Sequence, residues 1–179
     1  MIKPIAVVIH HEAGYTGLQA VNELHRQRFD FKSSLGFYVG YQYYCDTKGV
    51  MTQTRSETEE GAHTLGGWNQ KSIGICLMGN FETGTPTKPQ LDALSELLGE
   101  IRLRHGTSLD KIYYHGELWQ TLCPGRNLKS WVVSYRKADL EEAPEITLTP
   151  EADLKEKITL LQQLLTLYQK LLELMKGRK

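Results

Sequence analysis

The chain has 179 residues, 40% of them hydrophobic, and its 21 basic and 21 acidic side chains cancel to a formal net charge of zero. That length suits one ordinary domain with an appendage, and the balanced charge gives no footing for a nucleic-acid or anionic-membrane partner. The odd set of cysteines, Cys45, Cys76 and Cys123, two of them inside apparent strands, argues against a disulfide framework and for synthesis in a reducing compartment.

Taken in chain order, residues 6–9 are a short, strongly apolar strand that runs straight into His10 and His11. Side chains alternate across a strand, so the two histidines face opposite ways, and spacing alone does not choose between them as a ligand. Thr16-Gly17 opens a helix on which Leu18, Val21 and Leu24 recur at helical spacing, ending near Arg28, and His25 on it reads as a partly exposed surface histidine. Residues 38–45 read as an aromatic-rich strand and residues 50–54 as its hairpin partner across a Thr47-Lys48-Gly49 turn. A polar, irregular stretch over 55–62 leads to a glycine-containing loop over 63–69.

Residues 72–79 form a nearly continuous apolar run, as expected of a central strand buried on both faces. Thr87 with Gln90 three positions later predicts a capped helix whose buried stripe is Leu91, Leu94, Leu97, Leu98 and Ile101; Gly106 stops it, and His105 in its last turn suits the helix dipole. A short strand over 112–115 delivers His115, and a closing helix over 127–137 turns Leu128, Trp131 and Val132 inward. The pattern is α/β, with a mixed central sheet flanked by helices.

His115 and Cys123 stand eight positions apart in this pattern, and Pro124-Gly125 supports a loop that could bring them together. Imidazole and thiolate are ligands that zinc favours, so the pair reads as half of a metal site, with the histidines that end the first strand as candidates for the third ligand. Two histidines and one cysteine leave a fourth position to water, the arrangement of a catalytic rather than a structural zinc.

Several stretches together resemble one family. Residues 8–13 (Val-Ile-His-His-Glu-Ala), Gly40-Tyr41, residues 61–64 (Gly-Ala-His-Thr), residues 69–75 (Asn-Gln-Lys-Ser-Ile-Gly-Ile), and His115 with Cys123-Pro124-Gly125 are similar, in order, to the type-2 N-acetylmuramoyl-L-alanine amidases, which include phage lysozyme-type amidases and animal peptidoglycan recognition proteins. The resemblance covers about residues 5–135. It implies Zn2+ held by His10, His115 and Cys123, Tyr41 as a catalytic hydrogen-bond donor to the oxyanion, and hydrolysis of the amide between N-acetylmuramic acid and L-alanine. It also implies peptidoglycan as the partner, with His63, Trp68 and Asn69 on the loop that borders the substrate groove. Two positions depart from the pattern. Thr121 stands where phage members carry lysine, leaving orientation or oxyanion support as its catalytic role, and Ser56-Glu57 stand where diaminopimelate-selective recognition proteins carry Gly-Trp. Without an apparent signal peptide, the expected location is cytoplasmic until release to the cell wall, as for an endolysin.

The resemblance does not reach the tail. Residues 138–150 read as an acidic, proline-containing linker, and residues 151–179 as an amphipathic helix with Leu154, Ile158, Leu161, Leu165, Tyr168, Leu172 and Met175 on a heptad seam. Leu160, Leu164, Leu167, Leu171 and Leu174 add a second stripe, so the expectation is a homo-oligomer joined through this helix, which carries too many polar residues for a transmembrane segment. The expected division is thus a catalytic domain over 1–137, the linker, and the oligomerisation helix.

Overall fold

The computed structural model describes residues 1–141 and Gln162. The chain divides into two units, Met1–Leu140 and Glu141–Lys179. The expected linker beyond residue 141 and the expected heptad helix lie outside the described residues, except that Gln162 is helical and exposed. None of the described helices is long and apolar enough to cross a membrane.

The first unit is built on a five-stranded sheet in the order β3-β2-β4-β1-β5, where β1 is Ala6–His11, β2 Tyr43–Cys45, β3 Met51–Gln53, β4 Ser72–Leu77 and β5 Ile112–Tyr114. Neighbours β2, β4, β1 and β5 run parallel and only the edge strand β3 is antiparallel, so the sheet is mixed. The two central strands, β1 and β4, are buried along their whole length, which explains their unbroken apolar sequence. Helices α1 (Leu18–Phe29), α2 (Lys88–His105), the single-turn α3 (His115–Leu118) and α4 (Arg126–Glu141) flank it.

The pleat sorts the strands into two faces. Val7, Ile9, Ile73, Ile75, Leu77, Tyr43 and Cys45 pack on Leu94, Leu97, Leu98 and Ile101 of α2 and Leu128 and Val132 of α4, forming the main core. The opposite face carries Tyr44 and Cys76 in a smaller cluster with Val21 of α1 and Val39, and it is this face that bears His10. The α2 boundaries follow the sequence signals: Thr87 and Gln90 form a complete capping box, and Gly106 ends the helix in a left-handed conformation at φ 66°.

Three local expectations are corrected. The strand foreseen over 38–45 begins only at Tyr43, because the backbone at Gly40 is committed to another segment: Ala62 N donates to Gly40 O at 2.8 Å. A Cβ on Gly40 would sit 2.3 Å from Ala62 O, so this crossing requires glycine. The second correction is that β5 ends at Tyr114, and His115 opens α3 instead of closing the strand. Third, the closing helix continues to Glu141, past the expected boundary at residue 137.

Candidate metal centre

The strand register lines up one lateral row across the sheet. His10 pairs with Cys76, Cys76 with Tyr44, and the pairing of Ile9 with Tyr114 brings His115 alongside His10. This row lies at the carboxyl ends of the parallel strands, where open α/β sheets place their ligand sites. Cys123 arrives from a loop fixed at both sides: Gly116 N donates to Cys123 O at 2.8 Å, and Gly125 N to Leu122 O at 2.6 Å. Gly125 sits at φ 84° and presses on the segment after β4, where a Cβ would be 2.3 Å from Glu82 N.

As a result one ligand atom each from His10, His115 and Cys123 lies within 4.8 Å of the others. The Cys123 Sγ is 3.7 Å from His10 Nδ1, and the His10 and His115 ring centroids are 4.5 Å apart. The choice that spacing left open is made by the pleat: His10 turns into this group, whereas His11 points to the other face and accepts a hydrogen bond at Nδ1 from Phe81 N at 3.1 Å. Burial, reinforced by the neighbouring imidazoles, holds His10 far below the usual histidine range, and burial lowers His115 too. Burial pushes the Cys123 thiol up to about 12. Three neutral donors, two with free lone pairs, converge on one point. That donor set fits a cation that favours nitrogen and sulfur, which would hold the thiolate once its proton leaves.

Tyr41 stands beside this group, its ring centroid 5.1 Å from that of His10. It is not a strand residue as foreseen; it sits in the bend before β2, anchored where Thr54 Oγ1 donates to Tyr41 O at 2.8 Å. Burial of its hydroxyl, with the thiols of Cys76 and Cys123 nearby, holds the phenol well above its usual value, so it stays protonated. Thr121 is exposed, and its hydroxyl oxygen accepts from Cys123 N at 3.2 Å, which leaves its own proton free to donate.

The loop residues divide. Trp68 is half-buried, with its ring 5.2 Å from that of Tyr113 and the Lys71 ammonium 4.2 Å above it, so part of it remains available to a ligand. His63 and Asn69 are not placed as substrate contacts. His63 is only 6% exposed and lies behind His10, and Asn69 spends its amide on the loop, accepting from His63 N at 2.9 Å and Thr64 N at 3.0 Å and donating to Thr64 O at 2.8 Å. The departure at Glu57 is likewise turned away from the ligand group: its carboxylate takes hydrogen bonds from the Tyr43 hydroxyl at 2.6 Å and Arg104 at 2.7 Å.

Two contributors escaped sequence reading. His25, read as a surface residue, accepts from Gly40 N at 2.9 Å and packs its ring 5.6 Å from that of Tyr41; burial lowers it to about 4, so it remains a neutral acceptor. Glu12 fixes the turn that leads into α1, accepting from Thr16 N at 2.7 Å, and takes a hydrogen bond from the Tyr44 hydroxyl at 2.5 Å. The available signal was Glu12 directly after the histidine pair and shortly before a helix start that has no capping side chain of its own.

Comparison with known proteins agrees with this architecture. The family model for N-acetylmuramoyl-L-alanine amidase matches residues 2–126. Peptidoglycan-recognition protein SC2 of Drosophila melanogaster is 35% identical over 126 residues, 68% of each chain. Among solved structures, the amidase LysC from Clostridium intestinale superposes with a TM-score of 0.67 at 27% identity, covering 78% of this chain and 87% of that one. Drosophila peptidoglycan recognition protein SD gives a TM-score of 0.62 at 26% identity, covering 74% and 80%. The chain belongs to the N-acetylmuramoyl-L-alanine amidase family.

Proposed function

We propose that the protein is a zinc-dependent amidase that cuts the amide between N-acetylmuramic acid and L-alanine in peptidoglycan. The observation that carries this reading is the convergence of the His10, His115 and Cys123 ligand atoms within 4.8 Å at the carboxyl ends of the sheet. When bound, zinc supplies Lewis acidity, activating water near neutral pH and polarising the amide carbonyl. The two neutral imidazoles and the thiolate would hold it through three positions and leave one side open to substrate. Tyr41, beside the ligand group, would donate its phenolic proton to the carbonyl oxygen as negative charge gathers there, and its raised pKa keeps that proton available throughout the neutral range. Thr121 holds the backbone of Cys123 in place and can donate a further hydrogen bond at the open rim. Trp68 offers an aromatic surface to the glycan or stem peptide.

The endolysin-type neighbours support a lytic role on intact wall. The tail supports assembly of several chains through its paired apolar stripes, which would add avidity on a polymer that repeats one bond. The relatives named as recognition proteins favour a second reading, binding without hydrolysis. Retention of all three ligand side chains favours the enzyme. The test is to incubate the full chain with purified peptidoglycan and with soluble muropeptides, with and without a chelator, and count new L-alanine amino termini. Chelator-sensitive release from both substrates is expected. Binding to the wall without release would establish the second reading, and release confined to soluble muropeptides would remove the lytic role.

A further inference from the structure

We propose that His63 is a positioning residue that fixes the tautomer and orientation of His10, with Asn69 holding His63 in turn. The inference rests on the metal centre proposed above. His10 presents Nδ1 to Cys123 Sγ at 3.7 Å and Nε2, on the opposite edge of the ring, to His63 Nδ1 at 3.0 Å. A histidine that ligates through Nδ1 carries its proton on Nε2. His10 Nε2–H is therefore the donor, His63 Nδ1 the bare acceptor, and the proton of His63 sits on its own Nε2.

The ring is buried and also makes a hydrogen bond to the Ser72 backbone, so it is held from more than the His10 side. An apolar side chain of similar size would fill the space but could not accept from His10. The space itself is specific to this ring. A Cβ on Gly61 would lie 2.5 Å from the His63 Cδ2, and one on Gly74 would lie 2.6 Å from it, so two glycines make room for the imidazole directly behind His10. The rings meet edge to face, with centroids 5.0 Å apart and an interplanar angle of 79°. Asn69 completes the support, because its Oδ1 accepts from the backbone of His63 and of Thr64.

Ligating histidines commonly donate their outer N–H to a carboxylate or carbonyl, which fixes the ring and raises its basicity. A neutral imidazole serves here instead. It orients His10 without adding a negative charge, so with one thiolate in the ligand set the loaded centre keeps a net positive charge for polarising a carbonyl.

The experiment uses the full chain as wild type, His63→Leu and His63→Asn. Leucine preserves bulk but cannot accept a hydrogen bond, whereas asparagine places an oxygen where Nδ1 stands. Zinc affinity is measured by chelator competition, and ligand geometry by the visible absorption of the cobalt-substituted chains. His63→Leu is expected to bind zinc about 10- to 100-fold more weakly with altered cobalt bands, and His63→Asn to recover most of that affinity. Equal affinity and unchanged bands in His63→Leu overturn the proposal. Should His63→Leu fail to fold, nitrogen NMR of the zinc-loaded wild type decides: a proton on His63 Nε2 supports the assignment, and a proton on Nδ1 overturns it. Wild type that binds neither zinc nor cobalt overturns the metal centre itself and this inference with it, whereas metal held equally by wild type and His63→Leu removes only the role of His63.

Discussion

Metal binding should release one proton from the protein, and that proton should come from Cys123. Burial holds the metal-free thiol up at about 12, so it is protonated at neutral pH and must lose its proton to ligate. His10 and His115 are held below their usual value, chiefly by burial, so near pH 7 they already offer lone pairs and contribute no protons. Because a proton leaves on binding, affinity rises with pH. One proton gives a factor of about ten per pH unit, or roughly 1.4 kcal/mol of binding free energy between pH 6 and 7. The window stops at about 7 because water polarised by a bound zinc begins to titrate there. Zinc affinity by competition against a calibrated chelator at several pH values gives the slope, and an indicator dye in weak buffer counts the protons directly. A slope near zero would refute the thiol as ligand. A slope near two would refute the claim that both histidines are neutral before metal arrives.

Three further outcomes are expected. Tyr41→Phe should retain metal and melting behaviour but lose turnover by about ten- to a thousandfold, as expected for removal of an oxyanion donor; undiminished kcat would return Tyr41 to a packing role. Gly125→Ala combines a positive φ with a Cβ 2.3 Å from Glu82 N, and should cost about 2–4 kcal/mol in urea unfolding and displace the Cys123 loop; a loss under about 0.5 kcal/mol would show that the loop tolerates displacement. Truncation after Glu141, which keeps α4 whole, should convert an oligomer to a monomer by light scattering while hydrolysis of soluble substrate persists, and a full-length monomer at micromolar concentration would dismiss the tail as an assembly device.

The parts of this fold that sequence reveals are those dictated by local chemistry. The apolar runs of β1 and β4, the Thr87–Gln90 cap and the glycine that ends α2 each state their structure within a few residues, and all appear where expected. The bend at Gly40 is not local. It depends on Ala62, 22 positions further along the chain, and aromatic content alone therefore overextends β2 toward residue 38. The same reason hides the roles of His25 and His63. A histidine on a helix or in a glycine-rich loop carries no mark of its partner, and these partners, Gly40 and His10, come from other elements. The His10 and His11 ambiguity has a related origin. Alternation shows that the two diverge, but only the sheet's neighbours show which face receives His115 and Cys123.

The most direct test of the central claim compares metal content and L-alanine release in wild type, Cys123→Ala and His11→Ala. This ligand assignment requires about one zinc per chain and chelator-sensitive release in the wild type, loss of both in Cys123→Ala, and retention of both in His11→Ala, whose side chain bonds Phe81 on the far face. Full zinc content in Cys123→Ala, or an empty site in His11→Ala, would contradict it.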